Sequence, residues 1–188
     1  MQALHGVLAL ARFRAEGFAC FTATPTAFLN SLSPLLAIAL VAAIRPLLAG
    51  SPRLLVLHVL TSLVALLAPA AVTHVVAQFW RREGNWLRYA VAYNWCQAGI
   101  TVLTVVLILG FTISGGGRSA LGGLVAVVAG VLCYWLGLCW FMLWRGLGIS
   151  GLQAVVAVIV TNLATGLIIL GPQMLAGSGG MMDGTPGE

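Results

Sequence analysis

The chain has 188 residues, of which 61% are hydrophobic and only 7% charged, with a formal net charge of +5 and a mean hydropathy of +1.05. A soluble domain is about a quarter charged, so this composition excludes a water-covered globule and points to a surface covered by lipid. All nine basic residues are arginine, and most lie between apolar blocks. There positive charge sets membrane orientation, so the basic balance is not a nucleic-acid footprint. With abundant Ala and Gly, the absence of lysine has the look of a GC-rich bacterial genome.

Residues 1–30 read as a cytoplasmic or interfacial segment. Leu4, Val7, Leu8 and Ala11 recur at helical spacing among Gln2, His5, Arg12, Arg14 and Glu16, the pattern of a short amphipathic helix on a membrane surface. No positively charged stretch precedes a long apolar core, so the first span is expected to act as an uncleaved anchor. Thr24-Pro25 is a helix-start signal.

Five apolar blocks follow, at 34–49, 54–79, 89–113, 121–144 and 149–170. About 20 apolar residues cross a ~30 Å hydrocarbon core, so the expected fold is an all-α bundle of five transmembrane helices over residues 31–175. The first block is short, and its helix starts either at Pro25, kinking at Pro34, or at Pro34 itself, with Arg45 snorkelling outward. Pro69 should kink the second. Between the second and third blocks, residues 80–88 hold the charges Arg81, Arg82, Glu83 and Arg88 bracketed by Trp80 and Trp86, with Gly84-Asn85 expected at the turn. A flexible loop is expected at 114–118. The fourth block carries Gly123, Gly130 and Gly137 near one stripe, where another backbone could come close. It ends in an aromatic belt from Tyr134 and Trp135 to Trp144, ahead of Arg145. Residues 176–188 read as a disordered tail.

With the N-terminus in the cytoplasm, Arg12, Arg14, Arg81, Arg82, Arg88 and Arg145 fall inside, and Arg45, Arg53 and Arg118 outside. This distribution predicts an N-in, C-out protein of a bacterial inner membrane.

Candidate chemistry is sparse. His58 and His74 share a span but sit sixteen residues apart. That is ~160° in azimuth and ~24 Å along the axis, so they cannot hold one haem or metal together. The four cysteines form no CxxC pair. GxSxG, HExxH and Walker A patterns are missing, no span carries an acid, and neither an enzyme nor a cofactor is expected. The third span does carry a polar stripe, Asn94, Gln97, Thr101 and Thr104, whose 3-4-3 spacing shares one face. Asn162 on span five and His74 on span two fall at matching depths. These six residues are expected to meet inside the bundle, either as hydrogen-bond glue or as a path for a polar substrate.

The segment Gly17-Phe18-Ala19-Cys20-Phe21-Thr22-Ala23-Thr24-Pro25-Thr26-Ala27-Phe28, leading into Ser31 and five closely spaced spans, resembles the N-terminal stretch of alphaproteobacterial membrane proteins of this layout. The architecture as a whole resembles the Yip1-like superfamily of small polytopic membrane proteins. That resemblance implies a role in membrane organisation through partner proteins and no catalytic residues. The reading is a non-catalytic scaffold or accessory subunit that contacts the lipid bilayer and associates with other membrane proteins or with itself. A channel or transporter component, with a polar path lined by spans three and five, is the alternative.

Overall fold

Apolar blocks this long have one stable form in lipid, because a helix satisfies its own backbone. The computed structural model describes residues 2–50, 52–113 and 120–178. Its helices are α1 (Gln2–Ala11), α2 (Pro25–Leu48), α3 (Pro52–Phe79), α4 (Glu83–Ile113), α5 (Ala120–Gly146) and α6 (Gly151–Ser178), with a 3₁₀ turn at Ala15–Cys20. Five of them are long and apolar enough to cross a membrane, and no strand occurs among the described residues. The chain is an all-α, multi-pass membrane protein with a short N-terminal helix. The expected loop at 114–118 and the tail residues 179–188 lie outside the described residues, and α6 continues to Ser178.

Local chemistry sets the helix ends. Thr24 is extended, and its Oγ1 accepts the Ala27 N–H at 3.2 Å. Pro25 takes the first helical position, where its missing N–H is no loss. So α2 starts at Pro25 and runs through Pro34. Pro34 cannot donate to the Asn30 carbonyl, and the Ser33 hydroxyl donates to that carbonyl instead, at 2.7 Å. At 24 residues, α2 is about 36 Å long. Arg45 lies exposed in its last turn, where the helix dipole favours a cation.

The turn after α3 differs from expectation. Gly84 and Asn85 lie in the first turn of α4, and the reversal falls at Trp80–Arg82. Arg81 adopts φ 56°, while the N–H groups of Arg81 and Arg82 donate to the carbonyls of Gln78 and Ala77 at 3.0 and 2.8 Å. Closing those carbonyls offsets the left-handed backbone, so no glycine is needed. Before α6, the Ser150 Oγ accepts the Gln153 N–H at 3.2 Å and the Gln153 Oε1 accepts the Ser150 N–H at 2.9 Å. This reciprocal cap lies in the sequence as Ser-x-x-Gln.

The five long helices close a ring in the order α2, α4, α5, α6, α3 and back to α2, with α3 also touching α4. Packing is concentrated at one end of that ring. The buried residues of α2 are Ser31, Leu32 and Leu35, those of α4 run from Tyr89 to Ala98, and those of α5 from Leu138 to Leu143. Buried positions on α3 run from Leu66 to Ala77, and those on α6 from Ala154 to Thr161. Each set lies in the half of its helix nearest the N-terminal segment.

That segment is part of the core. Leu10 is fully buried, and Phe18 and Phe21 join the same cluster as Tyr89, Phe141, Met142 and Leu147. The Tyr134 hydroxyl donates to the Ala11 carbonyl at 2.6 Å, satisfying the end of α1, and the Phe13 ring packs edge-on to Tyr134 and Phe141. Tyr134 and Phe141, expected in an aromatic belt, thus face the core, whereas Trp140 stacks on Trp144 and the Arg145 guanidinium lies 4.5 Å over the Trp144 ring. The outer face of α1 carries Leu4 and Leu8, 65% and 57% exposed. The glycine stripe of α5 approaches no neighbouring backbone: Gly123 faces the Phe111 ring, Gly137 the Phe13 ring, and Gly130 open space.

At Gly17 the close neighbour is backbone. A Cβ there would lie 2.7 Å from the Gly6 carbonyl oxygen, a backbone atom that cannot swing away. Gly17→Val should therefore cost about 1–3 kcal/mol. Thermal unfolding in detergent micelles, followed by tryptophan fluorescence, should show a lower midpoint for Gly17→Val. Gly130→Val, at open space, should melt close to the parent.

Candidate functional site

Polar side chains inside a span must find partners within the protein or remain costly. On α4 the stripe divides. Asn94 is 1% exposed, and its Nδ2 donates to the Ser31 Oγ at 2.9 Å. Ser31, fully buried on α2, donates in turn to the Phe28 carbonyl at 2.6 Å. This chain of two bonds links α4 to α2 inside the packed end. Thr101 and Thr104 bond within their own helix, each hydroxyl donating four residues back, to the Gln97 and Ile100 carbonyls at 2.8 and 2.7 Å.

Asn162 behaves like the threonines. It is exposed on α6, and its Nδ2 donates to the Val158 carbonyl at 2.8 Å. His74 belongs to a different group. Its ring centroid lies 4.5 Å from that of Trp86, and its Nε2 lies 3.3 Å from the Gln78 Nε2. The Trp86 indole N–H donates to the Thr73 Oγ1 at 3.3 Å, and Thr73 donates back to the Pro69 carbonyl at 2.7 Å. No hydrogen bond between two side chains joins any two of the six residues, and the Thr101 hydroxyl meets only the backbone carbonyl of Gln97. Equal depth does not imply a shared azimuth, and neither Asn162 nor His74 is hydrogen-bonded to the α4 stripe.

Gln97 has other company. It lines a cavity of about 300 Å³ between α2 and α3, together with His58 and Ser62. The Gln97 Oε1 and the His58 Nε2 are both buried without a hydrogen-bond partner. The hydroxyls of Thr161 and Thr165 and the Nδ1 of His74 are in the same condition. A second cavity of about 320 Å³, lined by Ala37, Val41 and Thr101 among others, lies between α2 and α4. The C-terminal half of α2 thus has open space on both sides.

Sequence reasoning missed Ser31 and His58 as partners. Ser31 carries a usable signal once α2 is known to start at Pro25, because a hydroxyl one and a half turns into a span sits near the depth of Asn94. For His58 the pairing depends on which faces α2, α3 and α4 turn to one another, and spacing within one helix does not contain that. No protein-family model, curated protein or solved structure matches this chain.

The Asn94–Ser31 bond can be weighed against Asn162. Intramembrane hydrogen bonds are worth about 0.6 kcal/mol on average and up to ~1.7. A double-mutant cycle of Asn94→Ala and Ser31→Ala, read by unfolding in mixed micelles, should give a coupling energy in that range. Asn162→Leu should leave stability within about 0.5 kcal/mol of the parent.

Proposed function

We propose that this integral membrane protein is a non-catalytic scaffold or accessory subunit that acts through membrane partners. The observation that carries the reading is the fate of the polar stripe. Asn94 is tied to Ser31, and Thr101, Thr104 and Asn162 bond to their own helices. Groups satisfied in this way already use hydrogen bonds within the protein, and of the stripe it is Gln97 whose Oε1 is left without a partner. Packing supports the same reading. The half of the bundle holding the N-terminal segment has a continuous buried core, and apolar side chains are exposed along both halves, Phe79 and Leu152 in the one and Val102 and Val105 in the other. Kinship with the Yip1-like superfamily, and with it a role in membrane organisation, is part of this proposal and rests on the five-span layout alone.

The six arginines at positions 12, 14, 81, 82, 88 and 145 lie on the termini and connections of the packed end. We place that end in the cytoplasm of a bacterial inner membrane. Alkaline phosphatase fused after residue 178 should be active and a fluorescent protein fused there dark. The reverse pattern would invert the orientation.

Gentle detergent extraction at native expression, followed by crosslinking and mass spectrometry, tests the function. One stoichiometric membrane partner is expected. Recovery as a lone monomer, together with solute flux through reconstituted protein that Asn162→Leu abolishes, would replace this reading with the transport one.

A further inference from the structure

We propose that the groove between α1 and the 3₁₀ turn holds the phosphodiester of an anionic phospholipid, with Arg12 and Arg14 as the receiving cations. This site needs a bilayer and no protein partner, so it stands without the scaffold reading.

Local backbone chemistry sets the two arginines in place. α1 stops at Phe13, which has φ 57° and donates its N–H to the Leu10 carbonyl at 2.8 Å, while the Arg14 N–H donates to the Ala9 carbonyl at 3.0 Å. That is a left-handed helix stop built without glycine. It turns the chain back along α1, so that Gly17 lies against Gly6 and Leu10, and Cys20 against Gly6. Arg12 and Arg14 stand on either side of the stop, and the Phe13 ring between them packs on Tyr134 and Phe141. A turn fixed in this way lowers the ordering cost of a ligand held by its flanking residues.

The groove so formed has a volume of about 220 Å³. Its polar lining is Arg12, Arg14, His5 and Glu16, all of them exposed and open to an entering ligand, with Leu8 and Ala9 as apolar wall. Among the described residues neither guanidinium is held by a carboxylate or lies over a ring. Two guanidiniums against one carboxylate leave one positive charge, which a single phosphodiester charge cancels. The planar fork of arginine matches the phosphate oxygens. A zwitterionic lipid brings no net charge, and a phosphomonoester brings a second negative charge close to Glu16. Hydroxyls on the head can donate to the Glu16 carboxylate, so a phosphoglycerol head satisfies all three groups.

The surroundings of the groove are those of a lipid head. The Tyr134 hydroxyl holds the Ala11 carbonyl, and the neighbouring Trp135 ring lies 5.5 Å from that of Tyr93. The arginine end of α1 is therefore level with a girdle of aromatic side chains, the composition of a headgroup boundary. Nearer its other end, α1 sets Val7 against Gly99, further along α4 from Tyr93 and deeper in the span. Leu4 and Leu8 are exposed beside it, and Leu8 also lines the groove. A phosphate on the arginines thus has leucines where its acyl chains run.

Native mass spectrometry tests the site, with the full chain released from micelles holding equal amounts of phosphatidylglycerol, phosphatidylethanolamine and phosphatidylcholine. One phosphatidylglycerol is expected to stay bound in preference to the other two. Arg12→Gln and Arg14→Gln should each weaken it about fivefold, the effect of one arginine on an anionic lipid. Arg88→Gln removes the same charge at an exposed position outside the groove and should leave retention unchanged. Glu16→Gln should let phosphatidic acid bind as well as phosphatidylglycerol does. These side chains are exposed, so no buried contact is lost, and the lipid preference of the parent is read without any variant. Equal retention of the three lipids overturns the proposal, as does a loss in Arg88→Gln equal to that in Arg12→Gln and Arg14→Gln. Displacement of the lipid by inorganic phosphate at equal concentration overturns it too, and makes the ligand a soluble anion.

Discussion

In hydrocarbon a polar group is satisfied by the protein or left at a cost, because no water is there to pair with it. The rest of this structure follows from that constraint. It makes each apolar block a helix, and it makes proline a local problem with a local solution. At Pro34 the solution is the Ser33 hydroxyl, which takes the carbonyl that proline leaves open. It also sends threonine and asparagine side chains back to their own backbone when no neighbour is in reach. The Asn94–Ser31 and Trp86–Thr73 bonds cross between spans, and both lie in the packed end.

The second organising feature is the uneven packing of the two ends. Residues before the first span supply Leu10, Phe18 and Phe21 to the core, so the segment closes the bundle instead of trailing from it. The close passage of Gly17 over Gly6 lets the 3₁₀ turn lie against α1, and Tyr134 anchors the end of α1 from α5. Toward the other end nothing comparable occurs. The C-terminal half of α2 stands between two cavities, and the unpaired atoms of Gln97 and His58 belong to that less filled region. The bundle is thus closed at one end and open at the other, with apolar surface turned to lipid.

Much of the architecture was legible in the sequence for reasons that act within single helices. Length and hydropathy mark five spans, and Thr24-Pro25 marks the start of α2. The turn after α3 was less legible. Gly84-Asn85 has turn chemistry, but the reversal is made by Arg81 in a left-handed conformation, supported by carbonyls that only the formed helix presents. The amphipathic pattern of residues 2–11 announced a helix with two faces. It did not say that Gly6 and Leu10, and not Leu4 and Leu8, would be the buried positions.

By itself, the sequence determined what each segment does alone: which stretches must be helical, that lipid must cover them, and that Asn94, Gln97, Thr101 and Thr104 share one face of α4. Those properties depend on hydropathy and on the 3.6-residue period, both local. Only the tertiary structure decided which polar groups meet. Asn94 found Ser31, His74 packed against Trp86, Asn162 was left on the outside, and Gln97 was placed with His58 beside one cavity. Those outcomes depend on the rotation of each helix about its axis and on the order of helices round the ring. That rotation is set by side-chain volumes on neighbouring helices, which no single segment contains.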